Sequence, residues 1–439
     1  VIKGTKTATT TDNNGAYAIS VASNQSLSFS LVGYDTKDIR VGNSTTINVK
    51  LSAVDNTLED VVVTAMDIRR NKKELGYSAQ SVKGQELAET QRNNLVNSLQ
   101  GRIAGLTINP TSGLAGASSQ IVLRGFNSLA LDNSPLFVVD GIIIDNQSVQ
   151  ENNRNTGYAV KPSAANVSTE NRSNDYTNRI ADINPNDVES VTVLKGPEAT
   201  ALYGSQASSG AIVITTKKGT SVDGKMKISY DNSFRTSIYT RYPKVMTDYD
   251  AGQNGIQSDV FTYFGMKYTP DVPKYGNLRA FFQPSSSITH NISVEQGTAK
   301  NSVRLSGSFL DENSPVPNNN YKKYNLRVVT NHKIGKTLEI SPSFSIIKSG
   351  NDKPLRGVSG YLMSLMAWPE DDNAKNYITA DGLKKPLFAS NPNGELDNPY
   401  FNVNKNRSRD ELTRSIATLA VNYNPTKWLS ISGRMGYDT

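Results

Sequence analysis

Two-residue alternation governs the second half of the chain. Ile228, Tyr230, Asn232 and Phe234 open it; Ile288, His290, Ile292 and Val294 come next, then Val303, Leu305, Gly307 and Phe309. Leu326 and Val328 follow, then Leu338, Ile340, Pro342, Phe344 and Ile346. Ala417, Leu419, Val421 and Tyr423 make another run, and Leu429, Ile431, Gly433, Met435 and Tyr437 the last. The positions between them are mostly Ser, Thr, Arg, Lys and Asn. A period of two with one apolar face specifies strands. The pattern predicts about seven, several longer than the roughly 10 residues that cross a bilayer at a tilt. Short turns (296–301, 335–337, 424–427) alternate with long polar loops (236–284, 348–407). Short turns on one side and long loops on the other are the signature of an outer-membrane barrel, and a soluble sandwich rarely alternates so unevenly.

The first half is built differently. Residues 1–52 read as short strands separated by turn chemistry, with Asp12-Asn13-Asn14-Gly15 as a turn. Tyr17, Ile19 and Val21, then Leu27, Phe29 and Leu31, then Ile47, Val49 and Leu51 form the strand faces. This is most of a small β-sandwich. Leu58-Glu59-Asp60-Val61-Val62-Val63-Thr64-Ala65 is an isolated extended run in polar surroundings, either a lone core strand or a strand meant for another protein. From 66 to 217 the pattern is mixed. Leu95, Leu99, Ile103 and Leu106 recur at helical spacing, broken at Gly101 and Gly105. Strands are predicted at 120–123, 136–140, 190–194 and 211–216. Pro197 to Gly204 reads as one short helix, with Pro at its start and Gly at its end. Residues 146–179, rich in Asn, Ser and Thr, form a long polar loop.

Composition narrows the function classes. Hydrophobic residues are only 36%, and no stretch approaches a transmembrane helix, which leaves β-barrels open because their strands alternate. There is no Cys, so sheet pairing and burial must hold the chain without disulfides. His290 and His332 are the two histidines, in separate strands, so neither a metal site nor a cofactor is expected. No paired-carboxylate cleft is evident, which argues against an enzyme and leaves no catalytic residue to name. The formal charge of +7 comes without a dense basic block, which argues against nucleic-acid binding. Both ends fall within alternating sequence, so we expect a piece of a longer chain.

The run from Asp182 through Leu194-Lys195-Gly196-Pro197 to Gly204, continued by Ser209-Gly210-Ala211 to Gly219, resembles the end of the plug in TonB-dependent outer-membrane transporters. Leu123-Arg124-Gly125-Phe126-Asn127-Ser128 and Pro135 to Gly141 resemble the two preceding plug motifs, and Leu99 to Leu106 the plug's early helix. A sandwich similar to the carboxypeptidase regulatory-like domain, then Glu-Asp-Val-Val-Val, then a plug, resembles the SusC type of the Bacteroidetes. The resemblance implies a β-dominated protein. Residues 1–52 would be a partial sandwich, 53–66 a linker with a TonB box, 67–219 an α+β plug, and 220–439 the first part of a barrel of roughly 22 strands.

It also implies roles. Glu59, Asp60, Val61, Val62, Val63 and Thr64 match the box that pairs with TonB, itself powered by ExbB and ExbD. Arg124, followed by Gly125, is either a solvated arginine or one side of a buried plug–barrel ion pair with acidic wall residues. Tyr158, Trp368 and Tyr400 are aromatics in polar loops, suited either to stacking on a sugar or to ordering their own loops. Asp371-Asp372 reads as a solvated turn before it reads as a cation site. The implied activity is import of an oligosaccharide across the outer membrane with a SusD-like surface lipoprotein, the plug and sandwich on the periplasmic side and lipid around the barrel. Import of peptides by the same mechanism, or a non-transporting receptor or adhesin, are the alternatives.

Overall fold

The computed structural model describes the chain except residues 4, 6, 13–14, 23, 32–33, 35, 43, 52–60, 64–68, 72–78, 128–132, 147–174, 220–223, 356–359, 389–395 and 427; at 61–63 and 69–71 it describes the backbone alone. It divides into two units, residues 1–62 with 69–75, and residues 63–68 with 76–439.

In the first unit β1 (Ser26–Phe29) pairs antiparallel with β2 (Lys37–Arg40), Leu27 opposite Ile39. Ile2, Leu27 and Val41 form a small core against which Ile19, Val21, Phe29 and Ile47 pack. Tyr17 sets its ring edge-on to Phe29 at 5.3 Å and donates its hydroxyl to the Ile47 carbonyl at 2.9 Å. Residues 17–21 and 47–51, expected as strands, carry no ladder, though Ile19, Val21 and Ile47 still reach the core. β3 (Val61–Val63) pairs with β4 (Arg69–Asn71).

The second unit holds a plug and a wall. The plug comprises β5 (Ala79–Lys83), α1 (Gly84–Ala88), α2 (Leu95–Ser98), β6 (Leu106–Pro110), β7 (Ser119–Leu123), β8 (Leu136–Val139), β9 (Ile142–Ile144), β10 (Val188–Leu194), α3 (Pro197–Tyr203) and β11 (Ala211–Thr216). Its main sheet runs β5-β10-β11-β8-β9, with β6 and β7 as a separate pair. β11 is buried at every position, as the apolar run Ala211–Ile214 requires of a central strand covered on both faces, with Thr215 and Thr216 buried at its end. The predicted helix from Leu95 shrinks to one turn, because Gly101 and Gly105 take φ of +77° and +76°. Leu99, Ile103 and Leu106 nevertheless stay in the core through successive turns. Ile347 and Ile416 of the wall join that core.

The wall is one antiparallel sheet: β12 (Lys227–Ser237), β15 (Ser285–Gly297), β16 (Asn301–Asn313), β17 (Asn320–Ile334), β18 (Leu338–Pro354), β19 (Arg407–Thr426) and β20 (Leu429–Asp438), each paired with the next. The seven strands are the seven the alternation predicts. Ser341, Ser345, Ser349 and Lys353 of β18 are buried on the plug side, while Phe344 and Ile346 between them are exposed on the other face. Near the long-loop end an aromatic row crosses the outer face: Tyr230 to His290 at 6.1 Å, His290 to Phe309 at 6.4 Å, Phe309 to Tyr324 at 4.9 Å. At the short-turn end Trp428 is 83% exposed. From Tyr324 to Ile334 is about 33 Å along β17, or about 24 Å across a sheet tilted by roughly 45°, which matches the apolar band of an outer-membrane barrel.

The long connections are structured. The first holds the hairpin β13 (Gly252–Gln253) and β14 (Ile256–Gln257) and the helix α4 (Asn277–Phe281); the second holds α5 (Tyr361–Met366) and α6 (Pro399–Lys405). Leu278, Phe281, Val316, Leu365 and Val403 form their shared apolar centre, and Leu114 of the plug packs against it.

Candidate functional site

The seam between plug and wall is the candidate site. Three plug carboxylates each lie under a wall arginine. Asp140, one residue beyond β8, accepts from the Thr216 amide at 2.9 Å and the Thr216 hydroxyl at 2.7 Å, and from Arg327 at 3.1 Å. Arg327 also donates to Thr216 Oγ1 and Ser345 Oγ, so one guanidinium ties the ends of two plug strands to β17 and β18. Asp182, in a 3-10 turn at Arg179–Asp182, accepts from Arg414 Nη1 at 3.0 Å. The same nitrogen donates to the Arg179 carbonyl at 2.7 Å, and the rest of the fork meets both oxygens of Asp438. Asp187 accepts from Arg304 at 3.3 Å, and Arg304 reaches Glu295 with its other nitrogen at 3.4 Å.

Hydrogen bonds to plug carbonyls follow the same rule, wall donor to plug acceptor. Lys323 donates to the Ala181 carbonyl at 2.7 Å, Asn325 to the Asp182 carbonyl, and Arg235 to the Gln91 carbonyl. Asn93 and Asn184 reverse it, donating to Ser287 and Asn291. At the plug tip the Ala115 amide donates to Asn319 at 3.0 Å and its carbonyl accepts from Asn351. The tip turns at Gly116, φ +66°, where a side chain would strike Asn351 and Tyr321. Only glycine fits that approach.

Electrostatics at the seam follow from burial. Burial pushes the Asp182 carboxyl above its ordinary range, and the charges of Arg414 and Lys323 and the Arg414 hydrogen bond offset part of this. Burial likewise pulls the Lys217 ammonium down, helped by Arg304 and opposed by Asp187 and Glu295. Two polar cavities lie along the seam. One of ≈ 460 Å³, toward the short-turn end, is lined by Asp187, Lys217, Lys227, Glu295 and Arg304 among others. The other, ≈ 250 Å³, lies nearer the plug tip beside Arg92, Arg235, Glu312 and Lys323.

Known proteins resemble this chain in sequence and fold. Residues 71–211 match the TonB-dependent Receptor Plug Domain and residues 1–63 the CarboxypepD_reg-like domain. TonB-dependent receptor SusC of Bacteroides thetaiotaomicron is 30% identical over 332 residues, 75% of this chain and 30% of that protein. The chain belongs to the SusC-like TonB-dependent receptors. TonB-dependent receptor P26 of Formosa agariphila matches this receptor at 26% identity over 434 residues, 98% of this chain and 40% of that one. A structure of the RagAB peptide importer in the open-open state shares its fold, with a TM-score of 0.64 at 21% identity over 86% of this chain and 42% of that one. The chain thus spans less than half the length of these relatives.

Within the receptor the residues singled out by sequence fall in different places. Arg124 is exposed, takes φ +63°, and donates to the Lys195 carbonyl at 3.1 Å; it forms no ion pair with the wall among the described residues. Gly125 beside it is exposed as well. The plug–wall ion pairs are present with the opposite polarity, acids in the plug and arginines in the wall. Trp368 is 4% exposed and donates its indole N–H to Asp372 at 3.0 Å. Tyr400 is half-buried in α6, edge-on to Phe281, and donates to the Ala280 carbonyl. Asp371 accepts from Tyr268 and Asp372 also from Lys385, so this acidic pair is a cross-linked turn. Burial, with Asp371 beside them, raises the Tyr263 and Tyr268 hydroxyls well above their ordinary range. Tyr158, Glu59, Asp60 and Thr64 lie outside the described residues; Val61, Val62 and Val63 form β3. Sequence reasoning missed Arg304, Arg327 and Arg414. Their one signal is a cation at an inward position of an alternating strand.

Proposed function

We propose that this receptor imports a nutrient, an oligosaccharide, across the outer membrane together with a SusD-like lipoprotein, driven by TonB pulling on residues 59–64. The observation that carries the reading is the polar seam. A plug held by ion pairs and hydrogen bonds can part from its wall and be resolvated, each contact exchanging for water at a net cost of only about 0.5–1.5 kcal/mol when neither partner is left buried. A third cavity of only ≈ 30 Å³ shares Asn184 and Asn291 with the larger one and Arg92 and Lys323 with the other, so a plug displaced there joins them into one path along the wall. On this reading residues 59–64 and the N-terminal unit work in the periplasm, and the long loops are extracellular. β3 is β-branched throughout, which suits it to an added strand whose main-chain bonds bear load.

Deletion of residues 58–65 in the full-length protein tests the reading. Uptake is expected to vanish while affinity for the solute is kept; uptake at the wild-type rate would refute it. Growth on glycans set against growth on peptides as the sole carbon source separates the oligosaccharide from the peptide alternative.

A further inference from the structure

β5 is the strand of the plug sheet nearest in sequence to residues 59–64, so a pull on that segment reaches the sheet first at Ala79. It is also an edge strand, paired with β10 alone, Gln80 opposite Val193. Period two puts Gln80 on the face of Val82, which is buried in the plug core. From there its carboxamide meets the turn that precedes β6. The side-chain nitrogen donates to the Arg102 carbonyl at 2.9 Å, and the Ala104 amide donates to the side-chain oxygen at 3.1 Å. Lys195, one residue beyond β10, donates its ammonium to the same oxygen at 2.9 Å. A carboxamide carries N–H donors and an oxygen with two lone pairs, and the three contacts draw on both. Toward the turn it stands where the peptide group of a neighbouring strand would stand. Glutamate lacks the donor, and leucine lacks both.

The tie reaches across 22 to 24 residues of chain. Between its ends lie α1 and α2, a stretch the wall holds through Arg235 on the Gln91 carbonyl and Asn93 on Ser287. Movement of β5 transmitted along the chain would have to draw those residues off the wall. Transmitted through Gln80 it arrives at the turn directly. Beyond the turn β6 runs antiparallel to β7, from Leu106 opposite Leu123 to Pro110 opposite Ser119. The Gly105 carbonyl accepts from the Arg124 amide at 2.7 Å, which closes the base of this hairpin. Its far end is the tip at Ala115 and Gly116, which meets Asn319 and Asn351 of the wall and borders the ≈ 250 Å³ cavity. One side chain thus connects the plug strand that a pull loads first with the hairpin that meets the wall at the plug tip.

We propose that Gln80 is a positioning residue that couples displacement of β5 to the β6–β7 hairpin and its tip. Its role in transport rests on the reading that residues 59–64 are pulled. Two measurements on the full-length protein in detergent, neither needing a solute, test the coupling. In the first, Gly116→Ala sets a methyl group against Asn351 and Tyr321 at a left-handed residue, and amide exchange in β5 reports whether the disturbance arrives. Exchange is expected to quicken by at least about fivefold, but by less than about twofold when Gln80→Leu is already present. A side chain that only stabilises β5 gives equal factors in both backgrounds, and equal factors overturn the proposal. Gln80→Asn keeps the chemistry on a stem one methylene shorter and is expected to act as Gln80→Leu does. It carries the test if leucine disturbs the fold, unchanged exchange in β10 and β11 marking a folded plug. In the second, constant force is applied through a handle on Leu58→Cys. The lifetime before the first extension is expected to shorten at least about tenfold in both Gln80 variants, and a lifetime within about twofold of the parent overturns the proposal. Failure of the pull reading shows separately, as wild-type uptake after deletion of residues 58–65, whatever the exchange and lifetimes show.

Discussion

Replacing Arg414 by methionine removes the most deeply enclosed of the wall arginines while keeping much of its apolar stem. Its side chain is 1% exposed and that of Asp182 3%, so Arg414→Met leaves a buried carboxylate without its hydrogen-bonded partner, with only the charges of Lys323 and Arg179 acting on it. Losing one side of such a pair costs about 3–5 kcal/mol. Asp438, at 18% side-chain exposure, reaches solvent and bears less of that cost. The penalty should appear in the plug, because the 3-10 turn at Arg179–Asp182 leads directly into β10. Amide hydrogen exchange on the full-length protein in detergent reads it: exchange in β10 and β11 is expected to quicken by roughly 10²–10⁴-fold, with β16 and β17 little changed. Adding Asp182→Asn should recover a large part of the loss, since a neutral amide needs no counter-charge, and the cycle should show a coupling of about 1.5–3 kcal/mol. A single variant whose β10 exchange rises less than about threefold, or a double variant no better than the single, would refute the buried-pair account.

The raised Asp182 carboxyl makes a pH prediction. The folded plug holds that proton more tightly than the unfolded chain does, so its contribution is fully present below the ordinary carboxylate pKa and is lost as pH rises through the shifted value. Wild type should therefore gain urea resistance relative to Asp182→Asn between about pH 7 and about pH 4, and parallel pH profiles would count against it. Gly84→Ala places a methyl group inside the Val188 carbonyl, a backbone atom that cannot step aside, so α1 must lift from β10. A loss of about 1–3 kcal/mol by denaturant titration is expected. Trp368→Phe removes the bond to Asp372 and should loosen its loop by about 1 kcal/mol while solute affinity stays within about threefold; a much larger loss of affinity would give Trp368 a direct contact.

Legibility in the sequence varied with what stabilises each part. The seven wall strands could be read because one face must be apolar for lipid along its whole length, so Phe344 and Ile346 alternate with Ser345 and Ile347 however the plug is built. β11 could be read because a central plug strand needs an apolar run on both faces, here Ala211–Ile214. α4, α5 and α6 could not, since helices of 5 to 7 residues have no stable existence of their own. They are held by Phe281, Leu365 and Val403 meeting across two distant loops. β2, Lys-Asp-Ile-Arg, has a strand's pairing with a loop's composition. The arginines of the seam were visible as residues but not as partners, because Val303-Arg304-Leu305 reads the same whether the cation meets water or Asp187.

Why the seam should be ionic at all is a physical question. Buried ion pairs stabilise little beyond what well-packed apolar residues would supply, so stability alone does not select for them. An apolar seal of the same extent would cost about 25 cal/mol for every Å² re-exposed when the plug moves, a cost that grows with area and returns nothing. Ion pairs and hydrogen bonds behave differently: each half is hydrated once separated, so the cost of parting is concentrated in the first displacement and falls away after it. The apolar contacts between plug and wall are local: Ile347 and Ile416 in the plug core, and Leu310 and Tyr321 against Ala115 at the tip. A seam built this way holds the plug firmly at rest and yields over a short pull, which is what the proposed pull on residues 59–64 requires.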